Sequence, residues 1–196
     1  MDIFLATGNK KKIEELSPIL KELKCNILSI LDNINIPEVI EDKDTFIGNS
    51  QKKAVETAKF LGKVTIADDS GLCVEALNGE PGVYSARYAG ENAKDLDNNK
   101  KLVENLNNIE NRKAYFVSVI SVAKPSGEVI SFEGKVEGII LDVARGENGF
   151  GYDPHFYYEP LAKTFAELSK EEKNSISHRA RAVEKMKVEL ENFFKK

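Results

Sequence analysis

The sequence predicts an α/β or α+β fold organised around a mixed sheet. Three observations carry this reading. Short apolar runs rich in β-branched residues recur, as in Val64-Thr65-Ile66-Ala67. Segments with apolar residues at helical spacing lie between them. Two extended runs joined by Pro125-Ser126-Gly127 form a central antiparallel hairpin, which makes an all-parallel sheet impossible.

Ile3-Phe4-Leu5-Ala6 is a short buried strand, Thr7-Gly8-Asn9 a turn, and Ile13, Leu16, Leu20 and Leu23 follow on one helical face. Ile27-Leu28-Ser29-Ile30 is the next strand. After an acidic loop with Pro37, Thr45 caps a helix through Leu61 that turns Phe46, Ala54, Ala58 and Leu61 inward. The Val64 strand ends in Asp68-Asp69-Ser70-Gly71. Leu72 to Leu77 is again extended, and Asn78-Gly79 with Pro81-Gly82 turns the chain. Residues 94–109 form a surface helix with Leu96, Leu102, Val103 and Leu106 as its apolar positions. Ala114 to Ala123 and Val129 to Phe132 make the hairpin, and Gly134 through Leu141 keeps strand composition. Gly146 to Gly151 holds three glycines in six residues, too permissive for a regular element. A final helix places Ala180, Val183, Met186, Leu190 and Phe193 on one face.

A chain of 196 residues predicts a single domain, 1–196, with a proper core. Its net charge of −4 offers no global attraction for nucleic acid or an anionic membrane, so any anion site must be local. Cys25 and Cys73 sit in apolar surroundings and read as core thiols rather than a disulfide. Met1 runs into a strand without a basic leader, and no apolar run is long enough to span a bilayer, which predicts a cytoplasmic protein.

Four segments carry candidate chemistry. Asp68-Asp69-Ser70-Gly71 follows a strand, where α/β sheets hold ligands; alternation in extended chain lets only one aspartate face the site directly. The alternative is an Asx-type turn. Thr7-Gly8-Asn9-Lys10-Lys11-Lys12 joins strand to helix, where free N–H groups and the helix dipole favour phosphate, although a solvated turn capped by Asn9 fits equally. Gly149-Phe150-Gly151-Tyr152-Asp153-Pro154 offers aromatic faces for a base, or simply an anchored loop. Between Ser169 and Arg179, Ser169 with Glu172 makes a capping box and Ser177 caps the last helix, while Lys173, His178 and Arg179 supply donors for an anion or a base carbonyl. His155 reads as structural. The acids Glu38, Glu41, Asp42 and Asp44 are either solvated or supply a second carboxylate for Mg²⁺ on a polyphosphate.

These segments together, with Pro81-Gly82-Val83-Tyr84-Ser85-Ala86-Arg87-Tyr88, resemble the Ham1-like, or inosine triphosphate pyrophosphatase, family over nearly the whole chain. The resemblance implies an elongated mixed sheet flanked by helices in two lobes, with the active site in a central cleft, usually in a homodimer. It implies that Thr7, Gly8, Asn9, Lys10, Lys11 and Lys12 hold a triphosphate, that Asp69 is general base and Mg²⁺ ligand, and that Ser70 touches the nucleotide. Phe150, Gly151, Tyr152, Asp153, Lys173, His178 and Arg179 would frame the purine and sugar, with Arg87 nearby. The family pattern Glu-Thr-Gly-x-Thr-Phe is replaced here by Glu41-Asp42-Lys43-Asp44-Thr45-Phe46, which makes Glu41 the second metal ligand and Glu38 its alternative. The implied activity is Mg²⁺-dependent hydrolysis of inosine, deoxyinosine and xanthosine triphosphates to monophosphate and pyrophosphate. The competing readings are a silent nucleotide-binding sensor and a pyrophosphatase for other modified triphosphates. Neither nucleic acid nor membrane is an expected partner.

Overall fold

The computed structural model describes residues 2–21 and 25–195. Seven strands form one sheet: β1 (Asp2–Leu5), β2 (Asn26–Leu28), β3 (Val64–Val74), β4 (Lys113–Ala123), β5 (Val129–Ile140), β6 (Phe156–Tyr158) and β7 (Lys163–Thr164). The helices are α1 (Lys10–Leu20), α2 (Phe46–Leu61), α3 (Asp95–Asn105), α4 (Lys170–Ile176) and α5 (His178–Lys195). The strand order is β2-β1-β3-β4-β5-β6-β7. β1 runs parallel to β2 and β3, whereas β6 runs antiparallel to β5 and β7, so the sheet is mixed, as the sequence predicts.

The chain forms two compact units. The first comprises Met1–Asp69, Ser118–Gly134 and His178–Lys196, the second Ser70–Val117 and Lys135–Ser177. The boundaries fall inside β3, β4 and β5.

In the first unit, alternation along the strands separates two apolar layers. Ile3, Leu5, Ile66, Ile120 and Val122 pack with Ile13, Leu16 and Leu20 of α1 and with Ala182, Val183, Met186, Leu190 and Phe193 of α5. Phe4, Ala6, Ala67 and Ala123 cluster with Ala54 and Ala58 of α2, where small side chains let the helix lie close to the sheet. Each fully buried leucine or isoleucine contributes roughly 1.5–3 kcal/mol. Close approach recurs on β5. A Cβ at Gly134 would stand 2.1 Å from the His178 carbonyl oxygen and 2.5 Å from the Ala182 nitrogen, so the start of α5 rests directly on strand backbone.

The second unit is built on Leu72, Val74, Leu102, Leu106, Val136 and Ile140 with an aromatic group. The rings of Phe116 and Phe156 lie 4.5 Å apart, and those of Phe156 and Phe165 4.9 Å apart in an edge contact.

Several expectations change. Asp68, Asp69, Ser70 and Gly71 do not follow the strand; β3 continues through them to Val74. The extension is possible because both acids are buried against partners described below. Ile30 begins a 3-10 turn closed by Ser29 and Asp32 rather than ending β2, and Glu75–Leu77 is likewise a 3-10 turn. The two extended runs after the hairpin are one strand, β5. Leu96 is 81% exposed while Asn98 and Asn99 are buried, because α3 turns a polar face inward. Phe46 and Leu61 are only half-buried, and Leu23 lies outside the described residues. Thr45 caps α2 as expected, accepting from the Gly48 amide at 3.1 Å. The Lys124 amide donates to the Glu128 carbonyl at 2.9 Å, closing the turn that joins β4 to its neighbour β5. Cys73 is buried, Cys25 is half-buried, and both are thiols. Among the described residues no helix is long and apolar enough to cross a membrane.

Candidate active site

In the first unit the chemistry gathers on β3. Successive side chains point to opposite faces, so Asp68 shares the face of Ile66, toward α1 and α5, and Asp69 that of Ala67, toward α2. Asp68 is fully buried. Its Oδ2 lies 2.8 Å from Lys12 Nζ and 3.5 Å from Arg179 Nε, and the Ser118 hydroxyl donates to its Oδ1. Burial by itself would raise its pKa, but Lys12 and Arg179 outweigh it and hold the carboxyl well below the usual carboxylate range. Arg179 also donates to Glu15 at 2.6 Å. Two acids, a lysine and a guanidinium from α1, β3 and α5 thus meet in one buried charge network.

Asp69 is 4% exposed, and its surroundings act the other way. Burial pushes its pKa up to about 6; Lys53 and Lys12 oppose the rise, while Glu41 and Asp68 add to it. Lys53 projects from α2, donating to Glu41 Oε1 at 2.5 Å and to the Asp68 carbonyl at 2.9 Å. The loop carrying Glu41 is tied to the same helix. Asn49 accepts from the Lys43 amide at 2.9 Å and donates to the Lys43 carbonyl at 3.1 Å. Ser50 and Ser121 bond at 2.7 Å beneath these groups, so the α2 face opposite Asp69 is polar and fixed.

The lysine turn behaves as a cap. The Asn9 side chain accepts from the Lys11 and Lys12 amides at 3.0 and 3.3 Å, and the Thr7 hydroxyl accepts from Asn9 at 3.2 Å. Gly8, Lys10 and Lys11 are exposed, while the Lys12 side chain is 16% exposed and turned to Asp68. Gly8 has open space where a Cβ would stand.

The second unit holds another cluster. Lys173 of α4 and Asp153 are buried and paired at 2.5 Å. The Phe150 amide donates to the same Asp153 oxygen at 2.9 Å, and Lys173 Nζ stands 5.1 Å from the Phe150 ring centroid. A Cβ on Gly149, where φ is +74°, would fall 2.0 Å from Asp153 Oδ2, so the tight approach requires glycine. Tyr152 is buried with its hydroxyl donating to the Ser85 carbonyl at 2.7 Å, and burial pushes its phenol up; its ring is part of the core. His155 Nδ1 bonds the Leu141 carbonyl at 2.8 Å, the structural duty the sequence assigns it. Ser169 and Glu172 form the expected capping box, and Ser177 lies between α4 and α5.

The structure therefore gathers Lys12, Glu41, Asp69 and Arg179 in one unit and Phe150, Gly151, Tyr152, Asp153 and Lys173 in the other. Arg179, grouped by sequence with the base-framing residues, stands with Glu15 and Asp68. His178 is buried at the start of α5 in the first unit, and Ser70 follows Asp69 in β3. Glu38 is exposed, whereas Glu41 reaches Lys53. Arg87 lies over the Tyr84 ring at 5.2 Å. Sequence reasoning missed Lys53 and Ser118. Lys53 had a signal: Asn49, Ser50, Lys53 and Thr57 recur at helical spacing on the face of Ala54 and Ala58, a polar stripe where core is expected.

As for a metal, Asp69 and Glu41 are hard oxygen donors near enough for the charge of Glu41 to oppose ionisation of Asp69, a combination a divalent cation relieves. Among the described residues no group of three or more His, Cys, Asp or Glu forms a complete cage. Two carboxylates can hold a divalent cation whose remaining ligands come from phosphate and water.

A mixed α/β sheet bearing a buried, raised carboxylate among lysines fits the class of hydrolases that act on phosphate-containing substrates. The chain belongs to the Ham1 family, whose model matches residues 3–189. A dITP/XTP pyrophosphatase of Desulfotalea psychrophila is 52% identical over 193 residues, 98% of this chain and 86% of that relative. One of Clostridium perfringens is 49% identical, with coverage of 97% and 98%. The structure of the Staphylococcus aureus Ham1 protein superposes with a TM-score of 0.88 at 47% identity, covering 98% of this chain and all of that one. A HAM1 protein from Coxiella burnetii gives 0.89 at 38% identity, with coverage of 98% and 99%.

Proposed function

We propose that this chain hydrolyses deaminated purine nucleoside triphosphates, namely ITP, dITP and XTP, to the monophosphate and pyrophosphate. The observation that carries the chemistry is Asp69: a buried carboxylate held near pH 6, bordered by Lys53, Lys12 and Glu41. A base of that strength takes a proton from water at neutral pH while remaining largely ionised beforehand.

In the proposed reaction Asp69 orients a water molecule and accepts its proton as the water oxygen attacks the α-phosphorus. The bond from that phosphorus to the α,β-bridging oxygen breaks, and pyrophosphate departs. Lys12, Lys53 and the exposed Lys10 and Lys11 neutralise phosphate charge, with Thr7, Gly8 and Asn9 shaping the turn. Asp69 and Glu41 would hold Mg²⁺, which supplies further neutralisation of the polyphosphate. Lys53, paired with Glu41 at 2.5 Å, is a further cation for phosphate oxygen. Ser70 follows the base in β3 and serves the nucleotide.

Phe150 offers a ring face to the purine, and Lys173 supplies a donor for the 6-oxo group, with His178 as a further donor. The 6-amino group of adenine presents hydrogens where that oxygen accepts, and such a buried mismatch is costly. In this reading the chain acts as one domain in the cytoplasm, as a homodimer, with neither nucleic acid nor membrane as partner.

The test is pyrophosphate release from inosine, xanthosine, adenosine, guanosine and uridine triphosphates with and without Mg²⁺. Metal-dependent release favouring the first two is expected; equal release from all five would overturn the base assignment, and none from any would leave a nucleotide sensor.

A further inference from the structure

The geometry points to Asp95 and Asn99 as positioning residues that set discrimination among bases, by fixing the Gly151 peptide. This rests on the reading that Phe150, Asp153 and Lys173 frame the base.

The two side chains lie one turn apart on α3 and hold opposite ends of the same residue. The Gly151 amide donates to Asp95 Oδ2 at 2.8 Å, and Asn99 Nδ2 donates to the Gly151 carbonyl at 2.8 Å. The same Asn99 nitrogen donates to the Asp95 carbonyl at 2.8 Å, so both hydrogens of the amide are used and the pair is locked together. Gly151 has φ +62°, a conformation that glycine adopts at little cost and other residues rarely take.

The residues on either side are those assigned to the base. Phe150 precedes Gly151, and its amide is held by Asp153, which is gripped in turn by Lys173. Tyr152 follows and is pinned through its hydroxyl to Ser85. Rotation of the Gly151 peptide would swing the Phe150 ring and shift Asp153 along its pair with Lys173. The α3 bonds oppose that rotation directly, at the Gly151 amide and carbonyl.

The composition of α3 argues that the polar grip is the purpose of Asn99. Asn99 is 6% exposed, and its Oδ1 has no hydrogen-bond partner among the described residues. A buried acceptor without a partner is a cost that leucine at this position would avoid. The neighbouring polar residues hold the preceding turn in the same way. Asn98 accepts from the Ala89 amide at 2.7 Å and donates to the Ala86 carbonyl at 3.2 Å, and Asn105 donates to the Tyr88 hydroxyl at 2.7 Å. The inward face of α3 thus brackets two loops beside the core leucines Leu102 and Leu106.

The test compares Asn99→Leu, Asp95→Ala and Asp95→Asn with Phe150→Ala, measuring kcat and KM for ITP and ATP in the full chain, with melting temperature and the Mg²⁺ concentration for half-maximal rate. Asn99→Leu and Asp95→Ala should lower the ITP-to-ATP ratio of kcat/KM by about tenfold, chiefly through KM for ITP, with the Mg²⁺ requirement unchanged. Asp95→Asn keeps an acceptor for the Gly151 amide and should restore most of the ratio. If Phe150→Ala lowers the ratio but Asn99→Leu and Asp95→Ala do not, α3 has no part in discrimination and the inference fails alone. If Phe150→Ala leaves the ratio unchanged, the base assignment fails and takes the inference with it. Should Asn99→Leu not fold, the Asp95 pair of variants decides the same question.

Discussion

Asp68 and Asp69 are consecutive in β3, yet the first is held well below the usual carboxylate range and the second is raised to about 6. The divergence follows from the pleat. One side chain turns to Lys12, Arg179 and Ser118, and the other to the α2 side, where burial outweighs the attraction of Lys53. Environments that separate two like groups also separate their tasks: Asp68 is permanently charged framework, and Asp69 is able to exchange a proton.

Replacing Asp69 with Asn should lower pyrophosphate release from ITP by about 10²–10⁴-fold. The same variant should be more stable than the parent in metal-free buffer at pH 8. A folded-state pKa raised above 3.8 means that ionising Asp69 opposes folding, a penalty absent near pH 3 and fully present above about 6. Melting curves with a chelator should differ by about 3 kcal/mol at pH 8 and converge near pH 3; equal curves at both would mean that Asp69 carries no penalty.

Lys12→Ala removes a partner from a fully buried carboxylate and should cost roughly 3 kcal/mol at pH 7. The depressed pKa of Asp68 contributes stability above about 4 that is lost as the pH falls through the lower folded-state value. Urea denaturation at pH 7 and pH 3 should therefore show a deficit that narrows in acid. A deficit independent of pH would assign Lys12 to packing alone.

Glu41→Gln should leave the fold intact and raise the Mg²⁺ concentration for half-maximal rate by roughly tenfold or more. Metal titrations of the initial rate measure this. An unchanged midpoint would return the ligand role to Glu38 or to Asp69 alone.

Gly149→Ala places a methyl 2.0 Å from Asp153 Oδ2 in backbone with φ +74°. A cost of about 1–3 kcal/mol is expected, together with a raised KM for ITP as Asp153 leaves Lys173. A melting temperature and KM equal to the parent's would show that the loop absorbs the methyl.

The elements legible in sequence were those with a clear period or a strong turn: α1, the Thr45-capped α2, the hairpin at Pro125-Ser126-Gly127, and the apolar face of α5. Asp69 and Glu41 were singled out through the family resemblance, since the residues alone left an Asx-type turn and a solvated acidic loop open. The path of β3 through Asp68 was not, since two adjacent acids argue against a buried strand until their partners are known. Those partners come from far away in the chain; the bond from Arg179 to Glu15 alone joins residues 164 positions apart. Lys53 was hidden for a related reason, a buried cation looking in sequence like one more solvated helix lysine. For Tyr152 the sequence left a stacking ring and an anchored loop equally open, and its hydroxyl bonds the Ser85 carbonyl with the ring in the core.

Gly134 takes part in no chemistry, yet α5 rests on it so closely that a methyl there would collide with the His178 carbonyl and the Ala182 nitrogen. Arg179 lies between those two contacts in the chain. A change of residue at 134 would lift the first turn of α5 and draw the guanidinium away from Asp68 and Glu15. The address of a buried charge is thus written on another element by an atom that is missing, and drift at this silent position would be selected against as firmly as drift at an acid.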